Sequence, residues 1–177
     1  AYALERAEKH GIRTAVVRVK DFPSRELFDS EVLRLLKEAG VELVVLAGFM
    51  RLISSVLLEG FPMRIINIHP SLLPSFPGLE VQKAAIEHGV KFSGCTVHFV
   101  DSGLDSGPII IQAVVPVKDE DTVEALQKRI LAEEHRIYPQ AIELFSEGRI
   151  EIRGRRVFVR DSQAPDKAVE NPKVTIL

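Results

Sequence analysis

The chain reads as an α/β fold: a mostly parallel central sheet flanked by helices, with antiparallel strands toward the C-terminal half. Three observations predict it. Short apolar runs alternate with helical periodicities. Residues 41–47 are apolar almost throughout, as a strand covered on both faces should be. Residues 93–100 and 108–117 form two strands separated only by an Asp- and Gly-rich loop, which suits an antiparallel or mixed edge.

The elements follow in order. Residues 2–10 read as the end of a helix, because Leu4 and Ala7 share a face and Gly11-Ile12 supplies a left-handed stop with its following hydrophobe. Residues 14–19 read as a strand. Ser24 caps a helix over 25–39 with Phe28, Val32, Leu35 and Ala39 on one face, and Gly40 ends it. After the strand at 41–47 the chain leaves through Gly48-Phe49-Met50-Arg51-Leu52-Ile53 into a short helix near 55–58. The apolar run 65–68 is a short buried strand, and 80–88 a helix with Val81, Ala84, Ala85 and His88 facing inward. Asp121 and Glu124 form a capping-box pair that opens a helix running to about Phe145. Residues 150–159, turning at Gly154, make a small hairpin. The tail from Asp161 is polar except for its apolar end, Val174 to Leu177.

A length of 177 residues suits one domain with a real core. Hydrophobic residues at 46% exclude a disordered chain. Lys+Arg 23 against Asp+Glu 25 gives no basic field of the kind that binds nucleic acid. The single cysteine, Cys95, excludes a disulfide framework and a cysteine metal cage, and its mid-strand place suits a small buried residue. No apolar run reaches membrane-spanning length and no signal peptide is visible, so a cytoplasmic protein is expected.

The chemistry concentrates in two segments. In Asn-Ile-His-Pro-Ser-Leu-Leu-Pro-Ser-Phe-Pro-Gly, residues 67–78, Asn67 and His69 stand two apart at a strand end and project on the same side. Pro70, Pro74, Pro77 and Gly78 stiffen the loop behind them into a wall. An amide donor beside a titratable imidazole can polarise a carbonyl and protonate the oxyanion that forms. The second segment, 98–108, holds Asp101 and Asp105 in a turn-rich loop between two strands. Asp105 is the candidate partner of His69, since a nearby carboxylate favours the charged imidazole. Either Asp could also cap its own loop. Arg51, Asn67, His69 and Asp105 all lie at or just past strand ends, the rim on which such folds bind ligands. His98, mid-strand beside Cys95, reads as a satisfied core histidine, and His10, His88 and His135 as structural or solvent-facing. His69 and His98 lack a suitably spaced third ligand, so no metal is expected. No G-x-G-x-x-G follows a strand, which speaks against a dinucleotide-binding oxidoreductase.

These segments resemble the glycinamide ribonucleotide formyltransferases, folate-dependent enzymes of purine synthesis. The resemblance spans essentially the whole chain. It is carried by LAGFMRL from Leu46, NIHPSLLPSFPGL from Asn67, GCTVHFVDSGLDSGPII from Gly94 and EEHRIYP from Glu133. Methionyl-tRNA formyltransferases place a basic residue and Arg-Gly after their Leu-Leu-Pro, and this chain does not.

The resemblance implies a Rossmann-like formyltransferase fold as a single domain over 1–177. It implies 10-formyltetrahydrofolate as formyl donor and glycinamide ribonucleotide as acceptor. Asn67, His69 and Asp105 are then catalytic: amide donor to the formyl oxygen, general acid, and partner of the imidazole. Arg25, Met50, Arg51, Leu52, Ile53, Asn67, Val100, Asp101 and Asp105 surround the folate, and Gly48 and Glu134 contact the ribonucleotide. Partners are small molecules rather than nucleic acid or membrane, and a monomer or homodimer is expected. The family opens with a strand, a Gly-Asn-Gly-Ser-Asn-like loop and a helix whose N-terminus holds the substrate phosphate. Nothing here matches that segment, so an N-terminally incomplete domain is expected and phosphate anchoring falls to no residue of this sequence. The rival readings are a formyltetrahydrofolate hydrolase and a non-catalytic folate- or nucleotide-binding module.

Overall fold

The computed structural model describes residues 2–166, 168–169 and 171. Eleven regular elements follow one another: α1 (Tyr2–Lys9), α2 (Arg25–Glu38), β1 (Val44–Leu46), α3 (Ser55–Gly60), β2 (Ile65–His69), α4 (Val81–Glu87), β3 (Phe92–Phe99), β4 (Ile109–Pro116), α5 (Val123–Ser146), β5 (Ile150–Arg153) and β6 (Arg156–Val159). A single turn of 3-10 helix sits at Val19–Asp21. The strands make one mixed sheet in the order β1-β2-β3-β4-β6-β5. β1 runs parallel to β2 and β4 to β6, while β2–β3, β3–β4 and β5–β6 are antiparallel. Two of the three antiparallel pairings, β3–β4 and β5–β6, lie in the later half, where the sequence pattern predicts them.

Two cores flank this sheet. The larger is built from β3, β4 and the inward face of α5, where Leu126, Ile130, Ile137 and Ala141 meet Val97, Phe99, Ala113 and Val115. The smaller lies under α2 and α3, where Leu57, Phe61 and Ile65 gather Val32, Leu36, Val44, Leu46, Ile53 and Val100. Both loops that reach the rim, 47–53 and 100–108, are thereby rooted in one apolar cluster through Ile53 and Val100. Cys95 is fully buried in the larger core, and burial pushes its thiol up to about 12, which suits an inert packing residue.

Tyr138 on α5 links helix to sheet. Its hydroxyl donates to the Leu46 carbonyl at 2.6 Å and lies 3.1 Å from that of Ile66. The contact sits where β1 and β2 run side by side, so it sets the height of α5 against the strands that carry the rim. Burial pushes the phenol well above its ordinary range, so it stays a donor.

Several expectations need correction. Residues 14–19 form no strand and are mostly exposed, with the 3-10 turn beginning at Val19. An extended segment becomes a strand only when a neighbouring backbone receives it, and among the described residues β1 pairs only with β2. β1 is also shorter than its apolar run, and Val45 is exposed rather than covered. Glu80 is not helical but takes a left-handed φ of 53° ahead of α4, and His88 is exposed, its ring edge-on to Phe76 at 5.4 Å. The cap of α5 is Thr122, whose hydroxyl accepts from Ala125 N, not Asp121. Asp121 instead accepts a two-pronged pair from Arg129 at 2.7 and 2.8 Å, which competes better for a carboxylate than a helix end does. The apolar end of the tail at 174–177 lies outside the described residues.

Two tests follow from this packing. Tyr138→Phe leaves the Leu46 carbonyl without its side-chain donor and should cost about 1–3 kcal/mol in urea unfolding, with helical content unchanged. The Arg129 guanidinium holds the Asp121 carboxyl down at about 2, below its ordinary 3.8, so the pair stabilises above 3.8 and is lost as pH falls toward 2. Arg129→Met should therefore be less stable than the parent at neutral pH, with the gap closing through that acid window.

Candidate active site

The site begins with a register. β2 and β3 pair Asn67 opposite His98 and His69 opposite Thr96. Residues directly across an antiparallel pair share a face, as do residues two apart on one strand. Asn67, His69 and His98 therefore stand together on one side of the sheet.

His98 is buried and its Nδ1 lies 2.8 Å from its neighbour's carbonyl, Phe99 O. A carbonyl only accepts, so Nδ1 carries the proton and Nε2 offers a lone pair. That lone pair faces the Asn67 amide nitrogen at 3.4 Å. Burial lowers the pKa of His98, with the Phe99 carbonyl and the Asp105 charge opposing that shift, so the ring remains a neutral acceptor. One amide hydrogen of Asn67 is thus steered to His98, leaving the second for a ligand.

His69 is flanked by two acceptors. Nε2 donates to Phe76 O at 2.9 Å, and Nδ1 lies 3.4 Å from Asp105 Oδ2. The same Asp105 oxygen accepts from Gly78 N at 2.9 Å, and its other oxygen lies 3.9 Å from His98 Nε2. Side-chain exposures of 5% for His69 and 13% for Asp105 keep the pair largely out of bulk water, where their attraction is weakly screened.

The loops are braced from below. Thr96 donates to Ser71 O at 2.7 Å and accepts from Leu73 N, while Gln112 donates to Leu73 O at 2.9 Å. Ser71 closes the same loop onto Ser75 O. This β3–β4 support makes residues 70–78 a rigid wall. Across from it, the base of loop 100–108 is pinned by Phe99 N to Pro108 O and Val100 N to Ile65 O. Gly107 has to be glycine, because a Cβ there would fall 1.8 Å from Phe99 O. Asp101 caps its own loop, its Oδ1 accepting from Gly103 N and the Ser106 hydroxyl.

The remaining predicted residues divide into groups. Met50 and Leu52 are exposed, as is Leu104, whose methyl would lie 3.9 Å from a Cβ at Gly78. Ile53 and Val100 face the smaller core. Gly48 turns the chain out of β1 at φ 66°. The Arg51 guanidinium sits 4.8 Å over the Phe28 ring, one turn from Arg25 at the start of α2, so both cations lie at one end of that helix. Glu134 on α5 is half-buried; burial raises its pKa, and the charges of His135 and His69 oppose that rise. Its neighbour Glu133 takes the pair with Arg136, at 2.8 Å. Among the described residues no group of three or more His, Cys, Asp or Glu is placed to hold a metal ion, and no helix is long and apolar enough to cross a membrane. A cavity of about 360 Å³ lies at the opposite rim, lined by Glu42, Arg64, Phe145 and Ile150 among others, away from this chemistry.

The structure thus brings Asn67, His69 and Asp105 together. It adds His98, which the sequence places correctly in the core but not beside Asn67. Only the cross-strand register shows that contact.

The profile of the family described as Formyl transferase matches residues 1–142. The trifunctional purine biosynthetic protein adenosine-3 of Drosophila pseudoobscura pseudoobscura is 51% identical over 92% of this chain, which spans only 12% of that protein. The phosphoribosylglycinamide formyltransferase of Escherichia coli is 39% identical over 93% of this chain and 78% of its own length. The crystal structure of glycinamide ribonucleotide transformylase 1 from Symbiobacterium toebii superposes with a TM-score of 0.88 at 59% identity, covering 91% of this chain and 76% of that one. The sheet described above is therefore the Rossmann-like formyltransferase sheet, and the chain belongs to the formyl transferase family.

Proposed function

We propose that this site moves the formyl group of 10-formyltetrahydrofolate onto the amine of glycinamide ribonucleotide, a step of de novo purine biosynthesis. The single observation that carries the reading is the Asp105 carboxylate held against His69, with the Asn67 amide on the same face. The names of the relatives above support the choice of donor and acceptor.

The chemistry follows from the groups present. The acceptor amine attacks the formyl carbon and a tetrahedral oxyanion forms. The free N–H of Asn67 donates to that oxygen, and the doubly protonated ring of His69 stabilises its charge and supplies a proton. The Nδ1 proton is the transferable one, since it sits at a loose 3.4 Å from Asp105 whereas Nε2 is committed to Phe76 O. The amine proton passes to the folate nitrogen through water held near Asp105, the bond from the formyl carbon to that nitrogen breaks, and the carbonyl re-forms as the proton lent by His69 returns to its ring. Holding two substrates in register supplies on the order of 7–11 kcal/mol of the barrier reduction.

Exposed Met50, Leu52 and Leu104 offer apolar surface to the pteridine, over the rooted side chains of Ile53 and Val100. The backbone of Asp101 to Asp105 meets its ring edge, and Arg25 and Arg51 contact the folate at the mouth of α2. Gly48 and Glu134 contact the ribonucleotide. Both cores share one sheet, which supports reading residues 1–177 as a single formyltransferase domain. A cytoplasmic setting and a monomer or homodimer fit small, soluble substrates.

Two measurements test this. Asn67→Ala removes an oxyanion donor worth about 2.7–4 kcal/mol, so kcat should fall ~100-fold or more with the fold intact; turnover near that of the parent removes Asn67 from the chemistry. Release of tetrahydrofolate should require glycinamide ribonucleotide. Formate released equally well without it would identify a hydrolase.

A further inference from the structure

We propose that Arg155, at the tip of the β5–β6 hairpin, is a positioning residue that aims the Asp105 carboxylate by holding the loop that carries it. This rests on the catalytic reading of Asp105 given above.

Asp105 takes a left-handed φ of 48°. Aspartate enters that region more readily than most non-glycine residues, so the turn itself is accessible and what remains to be fixed is where the carboxylate points. Inside the loop, Asp101 ties Gly103 and the Ser106 side chain. These bonds set the loop's shape but not its orientation toward His69. Orientation needs anchors outside the loop: its base is held by Val100 N on Ile65 O and the Asp105 carboxylate by Gly78 N, and the main chain beside Asp105 has a further hold, an Arg155 guanidinium nitrogen that donates to the carbonyl of Ser106.

The hairpin is placed for this task. β6 joins the sheet through one pairing, Arg156 with Ile109, two residues past the end of the Asp105 loop at Gly107. The other hairpin cations are engaged elsewhere: Arg153 pairs with Glu151, and Arg153 and Arg156 both lie against the Phe158 ring. Arg155 is the one turned toward the loop. A guanidinium cannot lose its charge, and its planar fork fixes the direction of the bond. The Ser106 peptide is thus tethered to the β5–β6 hairpin, while the Asp105 side chain meets Gly78 N and His69.

The test uses the full chain with Arg155→Met and Arg155→Lys, and two readouts. The first is the set of ring chemical shifts of the five histidines after ¹⁵N-histidine labelling. The second is steady-state kinetics. Arg155→Met should move the His69 and His98 resonances while leaving His10 and His135 in place, with no change in Tm. It should lower kcat by about threefold to tenfold, the effect an exposed charge-assisted hydrogen bond can transmit, at unchanged KM for both substrates. Arg155→Lys should restore part of both. Unmoved His69 and His98 resonances overturn the proposal, as does an unchanged kcat in an active enzyme. Movement of all five rings with a lowered Tm also overturns it, because that marks a merely structural arginine. Shifted His69 and His98 in a protein without ribonucleotide-dependent formyl transfer would leave the brace standing and refute the proposed reaction instead.

Discussion

The antiparallel register of β2 against β3 is the constraint on which the rest depends. It sets Asn67 against His98 and brings His69 to the same face. Because side chains alternate with a period of two, a slip of one residue would turn these groups to the other side of the sheet. The register is held by burial on both strands, where Ile65, Ile66, Val97 and Phe99 are fully enclosed. The apolar packing that drives folding is therefore also what aligns the polar groups.

One carboxylate joins what that register leaves separate. Asp105 bonds the proline-stiffened wall at Gly78 and faces both imidazoles. The two rings have different surroundings. His98 is neutral because it is buried with a carbonyl on one nitrogen and an amide donor on the other. His69 has acceptors on both sides, the Phe76 carbonyl at 2.9 Å and the Asp105 carboxylate at 3.4 Å. Two imidazoles thus stand side by side on one face, the first a neutral acceptor that orients Asn67 and the second set between a carbonyl and a carboxylate.

Much of this was legible in the sequence for physical reasons. The Asn-x-His spacing at a strand end and the prolines behind it encode local geometry, so the wall and the donor pair could be read directly. The capped start of α2 at Ser24 and the turn at Gly154 are equally local. What stayed hidden depends on partners distant in the chain. Residues 14–19 have strand composition, but pairing is a property of the neighbour. Asp121 looks like a cap until Arg129, eight residues on, claims it. His98 looks like any core histidine until β2 is laid beside it.

The left-handed backbone at Asp105 has one more consequence. That conformation suits glycine, asparagine and aspartate, and strains bulkier residues. The proposed reaction calls for a negative charge beside His69, which narrows the choice to aspartate and glutamate. The two sets overlap in a single amino acid. Mutational drift at this codon therefore has no neutral neighbour to reach, since each substitution gives up either the shape of the turn or the charge it presents.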